Sequence, residues 1–286
     1  MYAIAGVTGH TGSVVADTLL AQGKPVRVIV RDAAKGESWK AKGAEVAIAD
    51  LADRAALTKA LTGASGAYLL LPPDVTTKTP LEANAARTAT FVAAVKDSKI
   101  PHVVFLSSVG AQHASGTGPI RALHHAEQQL ATTGAALTFV RAAYFQENWG
   151  AALGMLPQGV LPTFIPAGFA YPQVATKDIG RTAAAALVEG GQGTQIIELS
   201  GARDLTANDV AAAAAKLTGK PVVAAEAPTS AVVPTFTGFG ISAEVAELFR
   251  EMYEGIASGK VAWEGGAARA VRGSVEIDTT LSQLLG

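Results

Sequence analysis

Cysteine is absent from this 286-residue chain. That excludes disulfides, thiolate nucleophiles and cysteine-held metals, and no metal site is expected. Charge is sparse: Asp, Glu, Lys and Arg make up 16% of the residues, with a net charge of −1. Nucleic-acid binding draws on clustered Lys and Arg at many phosphates. The basic clusters here are small, such as Arg27 to Lys35, so direct contact with nucleic acid is not expected. No apolar run approaches the ~20 residues that span a bilayer. Gly6 comes too early for a basic and apolar leader to precede it, so a soluble cytoplasmic protein is expected. Against these absences stands a hydrophobic content of 49%. This is a globular, helix-rich composition with room for one large domain or two interleaved ones around a sizeable core.

The first half alternates short β-rich runs with longer helical patterns. The strands read "YAIAGV", "PVRVIV", "AEVAIAD", "GAYLLLP", "HVVFLSS" and "ALTFVRAA". Between them lie helical stretches at Ser13 to Gln22, about Leu81 to Ser98 and about Arg121 to Thr132. Continuous apolar strands separated by amphipathic helices predict an α/β, Rossmann-like, doubly wound parallel sheet. Its ligand crevice lies at the carboxyl ends of the strands. Past Arg141 the pattern loosens into a stretch rich in Pro, Gly and aromatics. The expected organisation is a dinucleotide-binding domain over residues 1–150 and a smaller mixed lobe that binds substrate over 151–286. Segments of about 172–200 return to the first domain.

Gly6, Gly9 and Gly12 sit three residues apart in "GVTGHTG", between the first strand and a helix. Gly6 lets the chain leave the strand sharply, Gly9 lets backbone approach a pyrophosphate, and Gly12 lets the helix pack close. The helix N-terminus offers N–H groups and a partial positive charge to phosphate. Thr8 and Thr11 add hydroxyl donors beside His10. The second strand ends at Arg31, with Lys35 one helical turn on. An acid at this place would bind the 2′-hydroxyl of NAD, whereas cations accommodate the 2′-phosphate of NADP. Arg31 and Lys35 favour NADP(H) over NAD(H), although adjacent Asp32 equally fits a solvated surface cluster. Asp50 and Leu51 close the third strand, where they can meet adenine or open the next helix. Leu71 and Pro72 end the fourth strand along the cofactor's far side.

Together, "GVTGHTG", "VRDAAK", "GAEVAIADLAD", "HVVFLSS", "LTFVRAAYFQEN" and "YPQVATKDIGRTAAAAL" resemble the NmrA-like, or atypical, short-chain dehydrogenase/reductase family, over residues 1–200 at least. The pattern is most similar to its NADPH-dependent quinone oxidoreductase branch. The resemblance implies a hydroxyl of Ser107 or Ser108 beside the nicotinamide. It also implies a pocket lined by "YFQEN", with Tyr144, Phe145 and Asn148, and by Trp149 just beyond. The better-known relatives use a Tyr-x-x-x-Lys pair as proton donor and pKa modulator. None of the five tyrosines here has a lysine four residues on. The corresponding helix reads "IRALHHAEQQL", where His124 and His125 are either surface polarity or contacts to ribose or substrate.

Without a tuned tyrosine, reduction of an unactivated ketone is disfavoured. A quinone needs less help, because it accepts hydride readily and its oxygens take protons from solvent. The expected function is NADPH-dependent hydride transfer to a quinone or similar small conjugated acceptor. Ser107, His124 and Tyr144 are the catalytic candidates. The competing reading is a non-catalytic NADP(H) sensor acting through a protein partner. A homodimer is compatible with either.

Overall fold

The computed structural model describes residues 1–286. The chain begins with β1 (Tyr2–Ile4), α1 (His10–Ala21), β2 (Val26–Val30), α2 (Glu37–Ala41), β3 (Glu45–Ile48), α3 (Arg54–Leu61) and β4 (Gly66–Leu69). It continues through α4 (Pro80–Ser98), β5 (His102–Ser108), α5 (Ile120–Leu130) and β6 (Ala136–Ala142). The second half contains β7 (Tyr144–Phe145), β8 (Val160–Thr163), β9 (Tyr171–Val174), α6 (Thr176–Glu189), β10 (Thr194–Ser200) and β11 (Asp204–Leu205). It ends with α7 (Ala207–Thr218), β12 (Val223–Glu226), α8 (Val232–Gly238), α9 (Ala243–Ala257), β13 (Arg269–Arg272) and α10 (Ile277–Leu285).

Eight strands form one sheet in the order β13-β10-β6-β5-β4-β1-β2-β3, and every pair is parallel. The strand order reverses between β1 and β4, which opens the crevice where α/β sheets bind ligands. This is the doubly wound sheet expected from the alternating pattern. One face is covered by α1 and α6 around Val15, Leu19, Ile179 and Leu187. The other is covered by α3, α4 and α5 around Leu57, Phe91 and Leu130. Leu19 and Leu57 are wholly buried, and each such side chain contributes roughly 1.5–3 kcal/mol.

Two boundaries differ from the sequence reading. Helix α1 starts at His10 rather than Ser13, so Gly12 lies inside its first turn. Strand β13 lies in the main sheet beside β10, with Ile197 opposite Arg269. Within the 151–286 segment, β10 and β13 lie in the main sheet and α6 packs on it. A four-residue edge strand with an alternating pattern carries little signal, which is why "RAVR" went unread. The remaining segments build two small sheets, β11-β9-β7 and β12-β8, with α7 to α10 around them. No helix is long and apolar enough to cross a membrane.

Candidate functional site

The site begins in the turn after β1. Gly6 has φ +70°, a left-handed conformation that side chains rarely adopt, and its amide oxygen accepts from Gly9 N–H (2.9 Å). A Cβ on Gly12 would lie 2.4 Å from the Ala5 carbonyl oxygen and 2.5 Å from Gly6, so the helix can dock here only with glycine. No side chain caps the N-terminus of α1, and its first turn holds no acid. Thr8, Gly9 and His10 are exposed around it. Free N–H groups with no competing carboxylate suit a pyrophosphate.

Thr11 departs from the expected role. Its side chain is buried, and its Oγ1 accepts from the Tyr68 hydroxyl (2.9 Å) beneath the helix. The Thr11 hydroxyl therefore braces α1 on β4 and is not aimed at a phosphate. Tyr68 itself gave no sequence signal beyond an apolar strand. Complete burial pushes its phenol well above the ordinary range.

At the end of β2, Arg31 and Lys35 are both exposed, and neither joins an ion pair. Asp32 is otherwise engaged, since its Oδ1 accepts from Ala34 N–H (2.9 Å) and caps the following short turn. Arg27 of the same basic stretch is tied to Glu45 (2.6 Å). Two uncommitted cations thus remain at the end of β2. Asp50 accepts from Ala52 N–H (2.8 Å), and Asp53, not Asp50, caps α3. Leu51, Leu71 and Pro72 are half-buried on the same rim.

Beyond β4, a small, partly open apolar cleft lies at the ends of β5 and β6. Ser108 and Val109 form one side, with Ile120 from the start of α5. Tyr144, Tyr171 and Pro172 from the small sheet form another. Met252 and Ile256 of α9, with Val261, complete it. Tyr144 and Tyr171 meet edge to face, 5.6 Å between centroids, and Tyr171 stacks on Phe169 at 6.5 Å. Phe164 packs on Tyr253 behind them at 5.6 Å. Burial is the main cause that raises the phenols of Tyr144, Tyr171 and Tyr253 above the ordinary tyrosine value. All three are neutral donors across the physiological range.

Several expected residues lie elsewhere. Successive strand residues point to opposite faces, so only one of the two serines ending β5 can face the cleft. Ser108 lines it, whereas Ser107 is buried and donates to Glu127 Oε1 (2.5 Å). Glu127 is held in turn by Arg141, through Nε (3.0 Å) and Nη2 (2.6 Å), and Arg141 also donates to Glu264. Breaking such a buried pair costs about 3–5 kcal/mol. Ser107 therefore belongs to an ion network and does not line the cleft. Trp149 is buried among the lobe residues Leu156, Leu161 and Leu205, and its Nε1 donates to Gln173 (2.8 Å), so it does not line this cleft. Phe145 packs against the sheet core instead of the cleft. Asn148 is exposed near Tyr144 and offsets part of the rise in its pKa. His124 Nδ1 donates to the Ala111 carbonyl (2.8 Å), fixing α5 to the loop after β5, and His125 is exposed.

Met252, Tyr253, Ile256 and Val261 were missed. The signal for the first three was an apolar stripe on α9, which marks a packed helix face without saying what it faces, and Val261 lies in the loop beyond it.

Comparison with known proteins agrees with this architecture. The chain is 28% identical to the NAD(P)H azoreductase of Xenophilus azovorans over 259 residues, covering 88% of this chain and 86% of that protein. It is 29% identical to quinone oxidoreductase 2 of Escherichia coli K12 over 294 residues, covering 100% of this chain and 94% of the relative. The crystal structure of the E. coli NADPH-dependent quinone oxidoreductase complexed with NADPH superposes with a TM-score of 0.83 at 24% identity, over 100% of both chains. The model of the NmrA-like family matches residues 2–278, from the strand before the glycine turn into the last helix. The chain belongs to the NmrA-like family.

Proposed function

We propose that the protein binds NADPH and transfers its hydride to a small conjugated acceptor of the quinone type. The observation that carries this reading is the pairing of two half-sites across β1, β4 and β5. One is an open, uncapped helix N-terminus with two uncommitted cations nearby. The other is an apolar cleft with no residue tuned to act as a strong acid. The glycine turn and the N-terminus of α1 would hold the pyrophosphate. Arg31 and Lys35 would hold the 2′-phosphate that favours NADPH over NADH, and Asp50 and Leu51 would meet the adenine. The bound dinucleotide supplies the hydride.

The chain's own part in the chemistry is placement and shielding. Apolar walls exclude water and hold a flat ring close, which removes much of the entropic barrier. The neutral phenol of Tyr144, on the wall of the cleft, would donate a hydrogen bond to an acceptor oxygen as charge develops on it. Ser108 offers a second hydroxyl. The azoreductase and quinone oxidoreductase names of two relatives support the same reaction type.

The test is to follow NADPH oxidation by purified protein with a panel of quinones, alongside NADPH binding. Turnover with several quinones and a preference for NADPH over NADH are expected. Firm NADPH binding without turnover of any acceptor would refute the proposal and leave the cofactor-sensor reading in its place.

A further inference from the structure

We infer that the cleft selects uncharged ring acceptors and rejects those carrying an anionic group, an inference that rests on the reading of the cleft as the acceptor site. Two independent features support it.

The first is the lining. Ser108 and the tyrosines contribute the polar atoms, and Val109, Ile120, Met252, Ile256 and Val261 the rest. No Lys or Arg lines the cleft. The tyrosines are neutral hydroxyls, so no fixed positive charge awaits a sulfonate or carboxylate. An anion entering such a site gives up its hydration and recovers at most a hydroxyl contact.

The second is the charge around the cleft. The two nearby guanidiniums are already committed. Arg141 is bound by Glu127 and Glu264, and its sheet neighbour across β6 and β10 is Glu198. Glu198 accepts from the backbone N–H groups of Glu264 and Gly265 (2.7 and 2.9 Å), fastening the segment that carries Val261. Arg121 is paired with Glu251, which also accepts from Gly116 N–H (2.6 Å). Lys260 precedes Val261 but lies over the backbone of Gly116, where a Cβ would meet its Cε at 3.0 Å. The two guanidiniums behind the walls are thus outnumbered by carboxylates. Counted with Lys260, three cations face four carboxylates there, so no surplus of positive charge draws an anion in.

The experiment compares naphthoquinone with naphthoquinone sulfonate under saturating NADPH. The sulfonate withdraws electrons and makes the ring a stronger oxidant in solution. A lower rate with it therefore reports the site and not the driving force. The expected result is a kcat/KM lower by at least about tenfold for the sulfonate, expressed mainly in KM because the loss is one of binding. Val261→Lys, which places a cation at the cleft, should narrow or reverse that ratio. Equal kcat/KM for the two acceptors, or a ratio unmoved by Val261→Lys in a folded variant, would overturn the inference. If neither acceptor turns over, the functional reading falls. The inference is then decided by equilibrium binding of the same two compounds, where equal affinity overturns it and preference for the uncharged ring sustains it.

Discussion

Gly9 and Gly12 lie three residues apart in one turn, yet a methyl group on each should fail in different ways. A Cβ on Gly12 would meet backbone atoms of Ala5 and Gly6 at 2.4–2.5 Å. Backbone cannot swing aside as a side chain does, so α1 must back away from β1. Overpacking of this kind costs about 1–3 kcal/mol. For a domain of this size that is a fall in Tm of several degrees, at about 2–4 °C per kcal/mol. Gly9 is different. Its φ of −109° and ψ of −176° suit any residue, and a Cβ there would find only the Gly6 carbonyl oxygen, at 3.5 Å. Gly9→Ala should leave the apo Tm unchanged or raise it slightly, since alanine restricts the unfolded chain by about 0.4–1 kcal/mol. The methyl would instead occupy the surface that a pyrophosphate must approach. NADPH affinity should fall at least about tenfold, or 1.4 kcal/mol. Melting with and without cofactor separates the two effects. At NADPH 100 times the wild-type Kd, the cofactor adds about 2.7 kcal/mol to the wild type, and only about 1.4 to a site tenfold weaker. The cofactor-induced rise in Tm should therefore be roughly halved in Gly9→Ala. If Gly9→Ala binds NADPH like the wild type, the turn does not hold the pyrophosphate. If Gly12→Ala melts like the wild type, the close approach is not what fixes the helix.

Two further outcomes are expected. Arg31→Asp should weaken NADPH far more than NADH, because it removes a phosphate partner and adds repulsion; an unchanged ratio of the two Kd values would make Arg31 a surface cation. Alkaline titration should show Tyr68, Tyr144, Tyr171 and Tyr253 still protonated when an ordinary phenol has ionised, because burial raises all four. Below about pH 10 folded and unfolded chains both keep these protons, so stability is unaffected. Above it the unfolded chain releases them and the folded one does not, and each phenol then removes up to about 1.4 kcal/mol of stability per pH unit. Four phenolates appearing near pH 10 without unfolding, by tyrosinate absorbance against circular dichroism, would contradict the burial.

The cofactor side was legible because it is contiguous. The glycine turn, the helix that follows and the cations ending β2 are set by local conformation and short spacings. A strand–turn–helix imposes the same demands wherever it occurs. The acceptor side was not, because its walls come from residues 108–109, 120, 144, 171–172 and 252–261 and meet only through the tertiary fold. Within that region the period-two ambiguity of a fully buried strand decided Ser107 against Ser108. Both faces of a parallel sheet are apolar, so no alternation marks which serine looks into the crevice. Trp149 and Phe145 show a related limit. An aromatic beside a site and an aromatic in a lobe core read alike until their neighbours are known.

The network behind the cleft explains why the missing tyrosine–lysine pair leaves a workable site. On the helix where the family resemblance places a lysine, α5 sends Glu127 inward to meet Arg141. The pair is almost wholly buried, with 4% and 6% of the side chains exposed, and the guanidinium is saturated by Glu127 and Glu264. Carboxylates raise its affinity for the proton further, so it remains a cation that others have neutralised. That guanidinium is not free to pull a neighbouring phenol down, and burial keeps the tyrosines of the cleft above their ordinary pKa. A site built this way offers little acid strength to a reluctant carbonyl. It offers a dry slot and neutral hydroxyl donors, so the acceptor must be one that takes a hydride on its own electron affinity. The electrostatics that disfavour reduction of an unactivated ketone are therefore the same that favour a quinone.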